Sequence, residues 1–71
     1  MDAKTKDLVG IAAAVSGHCQ KCFSYHYAEA RKLGIAINEI NETIDFAKAI
    51  RSSGNQAMNE FIQMIVSQKQ S

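Results

Sequence analysis

The stretch RKLGIAINEI, residues 31–40, decides the fold because it contains the signals that end one helix and begin another. Gly34 suits the left-handed conformation found just beyond a helix C-terminus. Arg31 and Lys32 suit the negative end of the preceding helix dipole. Asn38 is a good N-cap, and acidic residues follow it where the positive end of the next dipole favours them. The stretch therefore predicts two helices joined by a turn at Gly34.

Outward from this turn, the absence of proline and the presence of only four glycines predict helix along most of the chain. Four helices are expected: Thr5 to Val15, Cys19 to Leu33, a third that begins at Asn38, and a fourth from Gly54 to about Val66. The fourth depends on Ser53 and Gln56, which have the spacing of a capping box. The predicted fold class is therefore all-α, a small helical hairpin domain of about four helices.

The apolar residues recur at helical spacing, which predicts the face that each helix buries. In the first helix, Gly10, Ala13 and Ala14 are small enough to permit close approach of another backbone. The predicted inward residues are Leu8, Ile11, Ala12 and Val15 in the first helix, Ile40, Ile44, Ala47 and Ile50 in the third, and Met58, Phe61, Ile62 and Ile65 in the fourth.

With 71 residues, the chain is predicted to form one domain over residues 1–71. Its 46% hydrophobic and 21% charged residues are ordinary for a globular protein. A domain this small is marginally stable alone, so a partner subunit or a covalent staple is expected. The formal net charge of +1 is too small for the phosphate contacts that nucleic-acid binding requires, so no nucleic-acid partner is expected.

Lys4 and Lys6 precede an apolar run from Leu8 to Val15, a pattern that superficially resembles a secretory signal peptide. Asp7 lies at the start of that run, however, and no small-residue cleavage site follows before His18. No segment approaches the roughly 18 apolar residues that a membrane-spanning helix needs. The sequence therefore predicts a cytoplasmic protein without a membrane partner.

The chemically informative stretch is CQKCFSYH, residues 19–26, a CxxC pair followed after three residues by histidine. On a helix, Cys19, Cys22 and His26 fall within a sector about 60° wide. The imidazole of His26 is therefore placed to accept the Cys22 thiol proton or to stabilise its thiolate. The helix N-terminus and Lys21 also favour a thiolate. The helix N-terminus favours Cys19 as the reactive cysteine, whereas His26 favours Cys22, so these residues alone leave the order open.

The same residues could also indicate a structural role, a zinc site or a haem attachment site. The cysteines could be small buried hydrophobic residues, with His26 an ordinary hydrogen-bonded side chain. A zinc site would use both cysteines, His26 and His18, although ligands so close in one helix rarely close a tetrahedron. Covalent haem attachment requires histidine directly after the second cysteine, and Phe23 occupies that position. No cofactor and no metal are therefore expected.

The chain resembles the alkylhydroperoxidase D-like group of the carboxymuconolactone decarboxylase superfamily, whose redox branch has the pattern Glu-x11-Cys-x2-Cys-x3-His. The cysteines and His26 match this pattern, and Asp7 occupies the glutamate position, one methylene shorter. Lys21 stands where the alkylhydroperoxidase has a second histidine. The resemblance covers roughly residues 5–60, and the decarboxylase branch lacks the CxxC.

The resemblance implies a thiol-dependent peroxidase in which Cys22 is peroxidatic, Cys19 is resolving, and His26 with Asp7 relays protons. The implied partners are a hydroperoxide substrate, a dithiol or thioredoxin/lipoyl-type electron donor, and further copies of the chain in a homotrimer or homohexamer. Two other functions remain open. One is a disulfide reductase that uses the same cysteine pair, and the other is a non-catalytic helical oligomer or redox-sensing adaptor.

Overall fold

The computed structural model describes the backbone of residues 1–70 and the side chains of residues 1–68. It contains three α-helices, α1 (Ala3–Gly17), α2 (Gln20–Lys32) and α3 (Ile37–Gln70), and no strand occurs within the described residues. The predicted all-α class is confirmed. The structure also contains no helix, among the residues described, that is long and apolar enough to cross a membrane.

Helix α1 is capped at both ends by polar residues. At its N-terminus, Asp2 accepts a hydrogen bond from the amide of Thr5 at 2.7 Å. Hydrogen bonding by the side chain of Thr5, and then by its amide, lowers the pKa of Asp2. At its C-terminus, the left-handed residue is His18, with φ 58°, rather than the preceding glycine. Histidine is among the non-glycine residues that adopt this conformation more readily than most. The chain then turns directly into Cys19 and α2.

The turn between α2 and α3 contains the predicted left-handed glycine, since Gly34 has φ 78°. The turn is closed by the amide of Ile35, which donates to the Ala30 carbonyl at 3.1 Å. Asn38, however, is not the N-cap that the sequence predicts. The carbonyl of Ala36 accepts from the amide of Ile40 at 3.2 Å, so α3 begins at Ile37 and places Asn38 inside its first turn.

The prediction of a separate fourth helix beginning at Gly54 is wrong, because α3 continues through this region without interruption. Gly54 does not adopt a positive φ, unlike Gly34. A single glycine inside a helix costs only about 1 kcal/mol relative to alanine, which is too little to end a helix of good helix-forming residues. Ser53 and Gln56, the proposed capping box, consequently lie inside α3.

The core forms where α2 and α3 both pack against α1. Its buried residues are Ile11, Ala30, Ile35 and Ile40, with Leu8, Phe23, Tyr27 and Ile44 packed partly against them. Farther along α3, Arg51 Nη1 donates to the Val15 carbonyl at 3.0 Å and so ties the middle of α3 to the end of α1.

Beyond Arg51, α3 projects past the rest of the molecule, and the whole molecule measures 58 × 21 × 20 Å. The large apolar side chains predicted to point inward from a fourth helix are therefore exposed, and only Ile65 is half-buried. Ile50, also predicted to be inward, is exposed as well. The exposed apolar side chains on α3 are Ile37, Phe46, Ile50, Met58, Phe61, Ile62, Met64 and Val66.

Candidate redox site

The two cysteines form a disulfide at the N-terminus of α2. Cys19 is the N-cap of this helix, and its Sγ lies 2.05 Å from that of Cys22. The sulfur of Cys19 also accepts a hydrogen bond from the amide of Cys22 at 3.2 Å. Cys22 is exposed, whereas Cys19 is half-buried. One cysteine of the bonded pair is therefore open to solvent.

Asp7 and His26 meet across the interface between α1 and α2. His26 Nδ1 lies 3.1 Å from Asp7 Oδ1. The carboxyl side chain is 10% exposed and the imidazole 26% exposed. Because Nδ1 is engaged by this carboxylate, Nε2 is the ring nitrogen left for other chemistry. His26 lies one helical turn after Cys22, so one helix carries the exposed cysteine and the imidazole that Asp7 orients.

Gly10 provides the space that the His26 ring occupies. A Cβ atom on Gly10 would lie 2.5 Å from Cγ and Cδ2 of the imidazole, closer than real Cβ contacts come. The sequence predicts close approach of another backbone at this glycine, and the structure shows that a side chain makes the approach. The glycine is one helical turn from Asp7, so α1 supplies both the partner of the imidazole and the gap that admits it.

The aromatic residues of α2 divide between the core and the site. Phe23 and Tyr27 stack with ring centroids 5.8 Å apart and pack against the core. Tyr25 is exposed, and its ring lies nearly perpendicular to that of His26, with 5.1 Å between the centroids. Tyr25 therefore belongs to the surroundings of the imidazole rather than to the core.

Two further residues singled out in the sequence are His18 and Lys21. His18 is the C-cap of α1, and Lys21 is exposed between the two cysteines. Among the side chains that the structure describes, no group of three or more histidine, cysteine, aspartate or glutamate residues is arranged to hold a metal ion.

An open cleft of about 690 Å³ lies beside the disulfide, between α2 and α3. Cys19 contributes to its wall, and Cys22 does not. The other lining residues are Ala14, Val15, His18, Gln20, Phe23, Ser24, Ile44, Lys48 and Arg51. Sequence reasoning did not identify Lys48 and Arg51 as neighbours of the cysteines. Their three-residue spacing puts them on one face of α3, but nothing local indicates that this face meets the start of α2.

No curated protein and no solved structure shows a significant match to the chain. The sequence pattern of the carboxymuconolactone decarboxylase family, in contrast, matches residues 1–64. That match includes α1, α2, the Gly34 turn and most of α3, and with them every residue of the disulfide and of the Asp7–His26 pair. The chain therefore belongs to the carboxymuconolactone decarboxylase family.

Proposed function

We propose that this chain is a thiol-dependent peroxidase that reduces hydroperoxides with its two cysteines. The observation that carries the proposal is the Cys19–Cys22 disulfide, which lies one helical turn before an imidazole held by a buried carboxylate. A pair of adjacent cysteines beside a proton-transferring group is what a peroxide-reducing thiol site requires.

In the first step, His26 accepts the thiol proton of Cys22, and the resulting thiolate attacks the terminal oxygen of the hydroperoxide. The oxygen–oxygen bond breaks, the leaving alkoxide receives a proton from His26, and an alcohol departs. Cys22 is thereby oxidised to a sulfenic acid. The exposure of Cys22 supports its role as the cysteine that meets the peroxide. The 3.1 Å contact with Asp7 supports a charged imidazole between the two proton transfers.

In the second step, the thiolate of Cys19 attacks the sulfur of Cys22. The sulfur–oxygen bond breaks, hydroxide leaves and is protonated to water, and the disulfide forms. A dithiol or a thioredoxin/lipoyl-type donor then supplies two electrons and two protons to restore both thiols. We place this cycle in the cytoplasm, where such donors keep cysteines reduced.

The decisive experiment separates the two cysteines. Cys19→Ser is expected to react once with an organic hydroperoxide and to leave a sulfenic acid on Cys22 that a dimedone-type probe traps. It should not turn over through the intramolecular disulfide. Cys22→Ser is expected to lose reaction with hydroperoxide, because its remaining cysteine is the N-cap and lies seven residues from His26.

The wild-type chain is the control and should consume hydroperoxide repeatedly when a dithiol is supplied. A trapped sulfenic acid on Cys19 in Cys22→Ser would reverse the assigned roles. A wild-type chain that exchanges disulfides with dithiols but consumes no peroxide would instead be a disulfide reductase. A chain that forms neither sulfenic acid nor disulfide under peroxide would contradict redox catalysis and favour the adaptor function.

A further inference from the structure

The cleft between α2 and α3 is lined by basic residues together with one cysteine of the disulfide, Cys19. Lys48 and Arg51 lie on one wall, and His18 lies at the junction of α1 and α2. No carboxylate lines the cleft within the described part of the chain. Lys48 is exposed and makes no ion pair with a described side chain. An anion entering the cleft therefore meets a free ammonium group and no opposing negative charge.

Apolar residues line the same cleft. Ala14, Val15, Phe23 and Ile44 contribute side chains that a short hydrocarbon segment would contact. Arg51 is held in place by its hydrogen bond to the Val15 carbonyl, which fixes the basic wall relative to the end of α1. The cleft thus combines an apolar surface with positive charge, the combination that suits a small molecule with a hydrocarbon chain and a terminal anion.

The cleft also distinguishes between the two sulfurs. Thiol–disulfide exchange begins when a thiolate attacks one sulfur and expels the other as a thiolate, and it is faster when the leaving thiolate is stabilised. Cys19 lines the cleft, whereas Cys22 lies outside it, one turn before His26. Attack from the cleft on Cys19 therefore expels the Cys22 thiolate, which is the one that an imidazolium can stabilise.

We propose that this cleft binds an anionic dithiol reductant, with its carboxylate at Lys48 and its attacking thiolate directed to Cys19. The first exchange forms a donor–Cys19 mixed disulfide and releases the Cys22 thiolate, which takes up a proton. The second donor thiolate attacks the donor sulfur, releases the Cys19 thiolate and closes the donor disulfide. The donor loses two electrons and two protons, and the protein gains both. This inference rests on the proposed redox function and names the recognition step of its reductive half.

The test compares dihydrolipoate with dihydrolipoamide, two dithiols that differ in carrying a carboxylate or a neutral amide. Each reduces the preformed Cys19–Cys22 disulfide under stopped-flow conditions without peroxide. At low ionic strength we expect dihydrolipoate to react about two- to fivefold faster, the range that an exposed ion pair provides. This ratio should fall towards one in Lys48→Gln, and also in 1 M salt, where the Debye length is about 3 Å.

Lys32→Gln is the matched control because it removes the same charge at the other end of α2, about 20 Å along the helix from Cys19. In Lys32→Gln, the ratio of the dihydrolipoate rate to the dihydrolipoamide rate should remain that of the wild type. Equal rates for the two dithiols in the wild-type chain, or an equal loss of preference in Lys32→Gln, would overturn the cleft as the recognition site.

The attacked sulfur is identified with 3-mercaptopropionate, an anionic monothiol that stops at the mixed disulfide. After acid quenching and alkylation, mass spectrometry should find the monothiol on Cys19 and the alkyl group on Cys22. The reverse distribution would overturn the proposed direction of attack. Because no peroxide is present, these outcomes are independent of peroxidase activity. If the chain shows the dithiol preference but consumes no hydroperoxide, the cleft remains supported as the dithiol-binding site and the peroxidase function is contradicted.

Discussion

Asp7 contacts His26 through one oxygen of a buried carboxylate, so its charge acts directly on the imidazole. In a Cys19→Ser background, where Cys22 is the sole thiol, Asp7→Asn should slow alkylation of Cys22 near neutral pH by about three- to tenfold. The physical reason is that the amide keeps the shape of the carboxylate but no longer stabilises a protonated imidazole beside the thiolate. The measurement is the pH dependence of the iodoacetamide reaction.

Asp7→Glu provides the control, because it retains the carboxylate and introduces the residue of the redox-branch pattern. Its alkylation profile should stay closer to that of the Cys19→Ser chain with Asp7 unchanged than to that of Asp7→Asn. Identical profiles for all three chains would show that the carboxylate does not act on Cys22. Circular dichroism of each variant separates this outcome from unfolding.

Gly10→Ala should displace the imidazole even though alanine is the better helix former. The added methyl group would lie 2.5 Å from ring atoms of His26, so the ring must move and its 3.1 Å contact with Asp7 must lengthen. We expect altered NMR shifts of His26 and slower Cys22 alkylation. Gly17→Ala is the control, since nothing lies within 4 Å of its added Cβ, and it should leave both measurements as they are.

At the residue scale, the sequence could predict the side chains of the candidate site but not its surroundings. The spacing of Cys19, Cys22 and His26 places them on one face of a helix, a local property that periodicity reveals. The partnership of Asp7 with His26 was implied by family resemblance, since nineteen residues separate them in the chain. Lys48 was missed because its approach to the disulfide depends on how α3 crosses the end of α1.

At the element scale, α3 provides a stability test because it has a glycine in its interior. Gly54→Ala should raise the free energy of unfolding by about 0.5–1 kcal/mol, since no positive φ and no close neighbour opposes the methyl group. Thermal unfolding followed by circular dichroism measures the change. An unchanged or lower midpoint would contradict a continuous α3 that unfolds with the rest of the protein.

The matched variant is Gly34→Ala. No atom lies within 4 Å of a Cβ added at Gly34, but the φ of this residue is 78°. Alanine in the left-handed region costs about 1–2 kcal/mol, so this chain should unfold at a lower temperature. If Gly54→Ala raises the free energy of unfolding and Gly34→Ala lowers it, then Gly34 ends a helix and Gly54 lies within one. Equal effects would contradict the difference in backbone conformation.

The same two glycines explain why the turn was predictable and the long helix was not. Around Gly34, local chemistry agrees with the outcome, because basic residues precede the glycine and a new helix follows within three residues. Around Gly54, a capping-box spacing favoured a break, but no turn forms and helical hydrogen bonds continue. Local signals compete there with helix continuation, which a single glycine opposes only weakly.

At the scale of the whole molecule, the exposed surface exceeds what a compact monomer shows. The chain exposes 5387 Å², whereas a compact protein of 7.8 kDa exposes about 4,400 Å². Large apolar side chains on the projecting part of α3 contribute to the exposed surface, and Phe61 and Ile62 are half exposed there. We therefore propose that copies of the chain associate through α3, and we expect light scattering to give the mass of a homotrimer or homohexamer.

Phe61→Glu should weaken that association, because it places a charge on the surface proposed to be buried. Asn59→Glu is the matched control, since it adds the same charge to α3 at an exposed residue outside the exposed apolar set. A monodisperse, folded monomer at micromolar concentration would contradict the assembly. A stable dimer would be compatible with apolar association through α3 but would contradict a trimer or hexamer.

The projection of α3 also determines how a single copy would move through solvent. Its radius of gyration is 16.6 Å, whereas a compact chain of 71 residues has about 11 Å and one of about 200 residues has 16.6 Å. Judged by radius, one elongated chain therefore equals a compact protein of nearly three times its length. On a gel-filtration column calibrated with compact standards, a lone copy would elute ahead of a compact protein of its own mass, whereas the same frictional drag would slow its sedimentation and mimic a smaller mass.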